Sequence, residues 1–207
     1  MTDVLRGLLV VLVRILVSAR GDWRGCQPSA RRRIYFANHS SHFDTVAVMA
    51  ALPRHVRRLT HPVAARDYWG ANGRRRYIAE VLLQAVLIDR KPPPNSEPLA
   101  PVERLLEEGR SILIFPEGTR GDGNQIAPFR SGIFRLGSRF PEVELVPVHL
   151  DNLQRILPKG SLLVVPITCT ARFGTPLHVE AGESKEAFLE RARAAVIALA
   201  EGGGAAP

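Results

Sequence analysis

The chain alternates short apolar runs with longer mixed segments, and this alternation limits the folds available to it more than any other feature. The apolar runs are β-branched or aliphatic and are bounded by turn residues, which is typical of strands in a sheet. We predict strands at residues 33–37, 59–64, 85–88, 111–115, 145–148 and 162–171. We predict helices at residues 44–52, 74–83, 97–108, 131–140 and 184–201, the last beginning at a Ser184 cap.

Strands that alternate with helices favour an α/β architecture. We therefore expect a mixed, largely parallel sheet flanked by helices. The 207 residues contain no internal repeat and no linker long enough to divide the chain. We expect a single domain over residues 23–207, preceded by a separate N-terminal segment at residues 1–22.

The N-terminal segment is apolar and is interrupted by a few charged residues. Its longest uncharged run, Gly7–Val13, is far shorter than the ~20 residues of a membrane-spanning helix. In a helix, its charged residues share an arc of roughly 120° and leave Leu, Val and Ile around the rest. These residues are Asp3, Arg6, Arg14 and Arg20. The pattern predicts an amphipathic helix in the membrane interface, and a core-packing or dimerising helix is the alternative. We predict no secretory signal peptide, because Arg14 interrupts the apolar stretch and no small-residue cleavage site follows it.

The chain is strongly basic, with 28 Lys and Arg against 20 Asp and Glu and a net charge of +8. Such a surface attracts anions, which include nucleic acids, acidic membrane surfaces and phosphorylated or acidic-protein-borne substrates. Only 6% of the residues are aromatic, which leaves little material for base stacking, so we do not expect nucleic acid as a partner. Cys26 and Cys169 form no Cys-x-x-Cys motif, and we therefore expect neither a zinc ribbon nor a disulfide framework.

A compact polar stretch, residues 37–44, lies between the first predicted strand and the first predicted helix. A turn between His39 and Asp44 would bring their side chains together, whereas a continuous helix would place them some 140° apart. In such a pair the carboxylate fixes the imidazole tautomer and stabilises the imidazolium, so His39 is a candidate general base. Two alternatives remain on this spacing alone: a structural histidine, and a divalent metal site that includes His42 and His149. We expect no metal, because no further His, Asp, Glu or Cys cluster completes a coordination shell.

A second polar cluster, Phe115–Arg120, follows another predicted strand. A glycine-containing turn exposes backbone N–H groups, and the Arg120 guanidinium offers a rigid set of donors to a phosphate. The stretch predicts a phosphate-binding turn. An ordinary charged turn is the alternative for this stretch taken alone.

The two clusters together resemble a known family. The chain resembles the PlsC-like glycerolipid acyltransferases, whose type member is 1-acyl-sn-glycerol-3-phosphate acyltransferase. The resemblance covers about residues 33–175, and Arg130 stands where the family usually has Lys. The matching blocks are Asn38–Asp44, Val86–Arg90, Phe115–Arg120, Phe129–Gly132 and Val146–Val148. Several blocks in the family order are far more specific than any single one.

The resemblance implies an O-acyltransferase in which His39 is the general base and Asp44 orients it. It also implies a set of substrate-binding residues: Arg90, Glu117, Gly118, Thr119, Arg120 and Arg130. The implied reaction moves a fatty acyl group from acyl-CoA or acyl carrier protein to the free hydroxyl of a lysophospholipid. It needs no covalent enzyme intermediate and no cofactor beyond this acyl co-substrate. The expected acceptor is 1-acyl-sn-glycerol-3-phosphate, which gives phosphatidic acid.

The same resemblance implies a place in the cell. We expect residues 23–207 to be the acyltransferase domain, peripheral or monotopic on the cytoplasmic face of the cell membrane. Its expected partners are membrane lipids and acyl-CoA or acyl carrier protein.

Other functions stay open on the sequence. Gly121 stands where the family often has Ser, so a lyso-aminolipid or a glycolipid is an alternative acceptor. A catalytically idle membrane-bound scaffold of the same fold and a basic nucleic-acid-binding module are alternatives of other classes. The joint presence of His39, Asp44, Glu117 and Arg120 argues against the scaffold.

Overall fold

The structure is a computed structural model that describes residues 19–41, 43–91, 93–94, 96–121, 125–151 and 169–201. Residues 1–18, which contain most of the predicted amphipathic segment, lie outside the described residues, as do His42 and residues 152–168. No helix within the described ranges is long and apolar enough to cross a membrane.

The described residues form a sheet of seven strands. In chain order they are β1 (Arg20–Trp23), β2 (Arg33–Ala37), β3 (Thr60–Ala65), β4 (Val86–Ile88), β5 (Ser111–Ile114), β6 (Glu144–Leu150) and β7 (Thr170–Phe173). Their order across the sheet is β1-β7-β6-β2-β5-β3-β4. Neighbouring strands pair in parallel except β6 and β7, which are antiparallel. The mixed, largely parallel sheet expected from the sequence is therefore confirmed.

The helices also follow the expected order along the chain. They are α1 (Asp44–Ala51), α2 (Arg54–Arg57), α3 (Arg66–Trp69), α4 (Gly73–Arg76), α5 (Ala100–Glu107), α6 (Gly132–Arg139) and α7 (Lys185–Glu201). Helix α4 continues directly into a π-helical stretch, Tyr77–Leu82. The Ser184 cap is confirmed, because the Ser184 hydroxyl accepts the backbone N–H of Ala187 at 3.2 Å.

The sheet buries an apolar core on each of its faces. Strand β2 shows this directly, because its side chains alternate between the two cores. Ile34 and Phe36 pack with apolar residues of α5, α6 and α7. Tyr35 and Ala37 pack on the other face with α1. Helices therefore cover both faces of one sheet, which confirms the single α/β domain.

The structure corrects the sequence-based expectation at one edge of the sheet. Arg20–Trp23 forms β1 and pairs in parallel with β7, whereas the sequence analysis placed Arg20 in the amphipathic helix. Strand β1 also crosses the expected boundary between residues 22 and 23. Its sequence, Arg-Gly-Asp-Trp, shows no apolar run, because this edge strand is partly exposed and is held by backbone pairing.

Three further differences concern short or partly described elements. Helices α2 and α3 are absent from the sequence-based prediction, since four residues are too few to show helical periodicity. The predicted strand at 162–171 is described only at its end, where Thr170 and Ala171 lie in β7.

The parallel strands bring distant parts of the chain together at the edge of the sheet formed by the carboxyl ends of the strands. Strands β2, β3, β4 and β5 point the same way, so the segments after their carboxyl ends lie at the same edge of the sheet. His39 follows β2, Arg90 follows β4 and Phe115–Arg120 follows β5. The two polar clusters of the sequence therefore meet at this edge.

Candidate active site

His39 and Asp44 form a hydrogen-bonded pair at the carboxyl end of β2. The His39 Nδ1 and Asp44 Oδ2 atoms are 2.7 Å apart. The same Asp44 oxygen accepts the backbone N–H groups of Ser40 at 2.6 Å and Ser41 at 2.8 Å. Asp44 is the first residue of α1 and is fully buried, whereas 21% of the His39 side chain is exposed. The chain therefore makes the turn between these residues that the sequence analysis required.

The second polar cluster holds His39 from the other side. The His39 imidazole stacks on the Phe115 ring, with ring centroids 4.3 Å apart and an interplanar angle of 22°. The His39 backbone N–H donates to Glu117 Oε1 at 2.7 Å, and the His39 carbonyl accepts the Gly121 N–H at 2.9 Å. His39 is thus fixed through its ring and through both of its backbone polar groups.

Glu117 is a buried carboxylate at the centre of this arrangement, with 4% of the residue exposed. Its second oxygen, Oε2, accepts the backbone N–H of Ala127 at 2.9 Å. Burial raises the pKa of Glu117, and the N–H donors of Ala127 and His39 partly oppose that shift. Both oxygens therefore bind backbone groups of the protein, although the sequence analysis expected Glu117 to bind substrate.

Gly118 and Arg130 are in direct contact. Gly118 has a φ of +73°, and a Cβ atom there would lie 2.6 Å from Arg130 Cδ. The Arg130 Nε–H donates to the Glu117 carbonyl at 3.2 Å, and its backbone N–H donates to the Pro116 carbonyl at 2.8 Å. Glycine is needed at this position for its left-handed backbone and for the space that the Arg130 side chain occupies.

Arg90 reaches the same edge of the sheet, but it has an acidic partner. Its Nε–H is 3.2 Å from each carboxylate oxygen of Asp67, and an Nη2–H donates to the same carboxylate. The Arg90 guanidinium lowers the pKa of Asp67. A second contact, from Arg90 Nη1 to the Gly118 carbonyl at 3.4 Å, links Arg90 to the Phe115–Arg120 cluster.

Arg120 and Thr119 are exposed at the end of that cluster. Within the described parts of the chain, Arg120 makes no ion pair with an acidic side chain, unlike Arg90. Its guanidinium is exposed and also lines the cavity described next, where it can bind an anionic ligand.

A cavity of about 370 Å³ opens beside these residues. His39, Gly118 and Thr119 line it. Its wall also carries four arginines, Arg90, Arg120, Arg130 and Arg135, and a set of apolar side chains that includes Val63, Trp69, Ile88, Leu99, Ile114 and Ile133. The cavity thus combines a base, positive charge and an apolar wall, which suits a molecule with a hydroxyl, an anionic group and an apolar chain.

Several residues of the cavity were missed by the sequence analysis. Tyr68 and Trp69 line the cavity from α3, and Asp67 on the same helix pairs with Arg90. The short helix has no periodicity to detect, so the only local signal is an aromatic pair directly after a strand.

The metal alternative gains no support from the described residues, where no three His, Cys, Asp or Glu side chains are grouped to hold a metal ion. His42, which that alternative requires, lies outside the described residues.

Comparison with known proteins agrees with this geometry. An acyltransferase family model matches residues 25–151, which is more than half of the chain. The chain belongs to the acyltransferase family. The matched range contains His39, Asp44 and the Phe115–Arg120 cluster, and the expected resemblance to glycerolipid acyltransferases is confirmed.

Relatives of this acyltransferase carry a consistent name. The 1-acyl-sn-glycerol-3-phosphate acyltransferase alpha of Ovis aries is 27% identical over 179 residues, which cover 84% of this chain and 59% of the relative. The 1-acyl-sn-glycerol-3-phosphate acyltransferase of Cocos nucifera is 28% identical over 177 residues, which cover 78% of this chain and 51% of the relative. The acyltransferase chain therefore spans only about half to three fifths of the length of these relatives.

A solved structure shares the fold of this acyltransferase. It is the crystal structure of the 1-acyl-sn-glycerophosphate (LPA) acyltransferase PlsC from Thermotoga maritima, with a TM-score of 0.69 and 19% sequence identity. The match covers 97% of this chain and 82% of the other. At this identity the likeness shows a common fold.

Proposed function

We propose that this acyltransferase moves a fatty acyl group from a thioester donor to the free hydroxyl of a lysophospholipid. The proposed acceptor is 1-acyl-sn-glycerol-3-phosphate, and the product is phosphatidic acid. The observation that carries the proposal is that His39, which is paired with Asp44, lines a cavity that combines arginines with an apolar wall. The names of the relatives support the same acceptor.

The chemistry follows from the orientation of His39. Because Nδ1 donates to Asp44, Nε2 is left as the basic nitrogen of the imidazole. Nε2 removes the proton from the acceptor hydroxyl while the hydroxyl oxygen attacks the thioester carbonyl. The carbon–sulfur bond then breaks, and the imidazolium returns the proton to the leaving thiolate. Asp44 stabilises the transient imidazolium, and no acyl group is attached to the protein.

The positively charged wall of the cavity holds the acceptor phosphate in this proposal. Arg120 is the main anchor, because it is exposed and makes no ion pair among the described residues. Arg130 contacts Gly118 and lines the same cavity. Arg90 contributes only after the phosphate competes with Asp67 for its guanidinium. Gly118 and Thr119 shape the turn that presents these groups.

Glu117 acts as a positioning residue. Its carboxylate is buried, already accepts two backbone N–H groups, and is not among the groups that line the cavity. Its Oε1 accepts the His39 backbone N–H and so fixes the position of His39 in the site.

The donor is acyl-CoA or acyl carrier protein, because both present the thioester that the reaction consumes. The lipid acceptor and product place the protein at a membrane, and we propose its cytoplasmic face. The amphipathic segment expected within residues 1–22 would contribute a peripheral or monotopic attachment there.

The test is release of free thiol from a long-chain acyl-CoA by purified protein, with and without a panel of lysolipids. The panel contains 1-acyl-sn-glycerol-3-phosphate, a neutral lysolipid, a lyso-aminolipid and a glycolipid. We expect release that depends on the phosphorylated acceptor and falls by ~10²-fold or more in His39→Ala. His55→Ala, which alters an exposed histidine on α2, is the matched control and keeps full activity.

A second variant tests the phosphate anchor. Arg120→Ala raises the Michaelis constant for the phosphorylated acceptor about tenfold and leaves that for a neutral acceptor unchanged. Activity that survives in a folded His39→Ala protein would refute the mechanism. A folded wild type that is silent with every acceptor, from both acyl-CoA and acyl carrier protein, would instead favour the idle scaffold.

A further inference from the structure

A continuous exposed surface follows α3. Every residue from Gly70 to Ile78 is exposed, although this stretch includes two large apolar side chains. Tyr77 is 47% exposed and Ile78 is 39% exposed. Arg74, Arg75 and Arg76 directly precede them. We refer to residues 74–78 as the Arg74–Ile78 surface.

The backbone of this surface is anchored from behind. The Asn72 side chain accepts the Arg75 backbone N–H at 2.9 Å and caps α4. The π-helical stretch then begins, and Ala79 is fully buried against Ala85 and Leu87. Burial of Ala79 leaves Tyr77 and Ile78 turned outward, so their exposure is a consequence of how the segment is attached.

The surface has a net positive charge. Arg76 pairs with Glu80 at 2.8 Å. In the described structure Arg74 and Arg75 form no ion pair with an acidic side chain. Two guanidinium groups therefore lie beside an exposed tyrosine and an exposed isoleucine with no neutralising carboxylate from the described residues.

The surface also borders the active-site cavity. The Arg75 guanidinium lies 4.5 Å from the centroid of the Tyr68 ring. Tyr68 and the adjacent Trp69 line the cavity. A molecule bound to the Arg74–Ile78 surface is therefore next to the wall of the cavity.

We propose that the Arg74–Ile78 surface docks the domain on an anionic lipid bilayer, in addition to any attachment by residues 1–18. Guanidinium groups complement the phosphates of acidic headgroups, and a tyrosine beside an aliphatic residue suits the boundary between headgroups and acyl chains. Binding of the phosphates of acyl-CoA would explain the arginines of this surface but not the exposed Ile78. The inference extends the proposed function, since docking here places the cavity beside the bilayer that contains the acceptor.

The test is co-sedimentation of the full chain with phosphatidylcholine vesicles, with and without phosphatidylglycerol. Vesicle binding is measured without acyl donor, so this measurement does not depend on the proposed acyl-transfer reaction. Arg74→Gln with Arg75→Gln lowers partitioning onto the anionic vesicles about tenfold and has little effect on neutral vesicles. Added salt removes the difference between wild type and this variant.

Two further variants complete the design. Tyr77→Ser with Ile78→Ser lowers partitioning onto both kinds of vesicle roughly fivefold, because it removes apolar contact rather than charge. Arg54→Gln with Arg58→Gln is the matched control, since these exposed arginines precede β3 and lie at the opposite end of that strand from α3. The control binds anionic vesicles within about twofold of wild type. Circular dichroism confirms that each variant is folded.

Activity provides an independent readout. Thiol release with a long-chain acceptor embedded in anionic vesicles falls in parallel with binding, whereas release with a short-chain, water-soluble acceptor does not change. Equal vesicle binding by wild type, both surface variants and the control would overturn the proposal. The proposal would also be overturned if the two surface variants bound vesicles like wild type but had a higher Michaelis constant for acyl carrier protein. That result would indicate that the Arg74–Ile78 surface binds the acyl donor.

Discussion

Replacing Glu117 with Gln tests whether a buried carboxylate positions His39, the proposed general base. The two Glu117 oxygens accept the N–H groups of His39 at 2.7 Å and Ala127 at 2.9 Å. Gln has nearly the same shape, but one of its terminal atoms is an NH₂ donor that would face one of these N–H groups. One buried N–H therefore loses its acceptor, which lowers the free energy of unfolding by roughly 1–3 kcal/mol.

The expected changes in stability and rate follow from this loss. For a chain of this size, 2 kcal/mol corresponds to a fall in Tm of about 4–8 °C. Loss of either contact also weakens the hold of residue 117 on the His39 backbone. A displacement of the imidazole by about 1 Å lowers kcat by up to ~10²-fold. We expect the Michaelis constant for the acceptor to stay within about twofold, because in the proposed mechanism Glu117 does not contact the acceptor.

Thermal unfolding and thiol release at varied acceptor concentration check these values. Glu108→Gln, which makes the same change at an exposed position, is the control and leaves both measurements as in wild type. A Glu117→Gln protein with unchanged Tm and kcat but a much higher Michaelis constant would refute the reasoning. That result would return Glu117 to the role that the sequence analysis assigned, a direct contact with the acceptor.

Three further predictions concern the His39–Asp44 pair, the turn at Gly118 and the half-buried His149. Asp44→Asn keeps one oxygen that can accept the three hydrogen bonds of Asp44 Oδ2, so the variant removes only the negative charge. We expect kcat in thiol-release assays to fall by ~10²-fold or more, with little loss of secondary structure by circular dichroism. Gly118→Ala clashes with Arg130 and lowers Tm more than Gly109→Ala, a control that shares the positive φ but has open space around it. Burial lowers the pKa of His149 from 6.5 to about 4 in the folded chain. As pH falls from about 6.5 to about 4, the unfolded chain therefore binds a proton that the folded chain does not, and the free energy of unfolding declines. The decline is about 3 kcal/mol in urea unfolding, and His149→Gln removes it; an unchanged pH dependence in this variant would contradict the assignment.

The fold class and the hydrogen-bonded His39–Asp44 pair were within reach of sequence reasoning. Alternating apolar runs predicted the strands β2 to β6 closely, because buried strands need continuous apolar sequence. The His39–Asp44 pair was predicted because both residues lie in one short segment, where the only requirement is a turn. A pair of functional groups that lies within one short segment can be predicted from that segment alone.

Other features depend on contacts between residues far apart in the chain. Strand β1 was missed because backbone pairing with β7 holds it, and such pairing leaves little trace in side-chain pattern. The Asp67–Arg90 pair and the aromatic wall from α3 were missed because a four-residue helix shows no periodicity.

The sequence by itself determined which chemical groups the acyltransferase has: a histidine with its carboxylate, a glycine-containing turn and an excess of arginine. The tertiary structure decided how they are used. The register of the parallel strands β2 and β5 pairs Phe36 with Ile114, which brings the segment at His39 beside that at Glu117. Glu117 therefore binds the His39 backbone because of strand register, a long-range property that no local spacing of residues encodes.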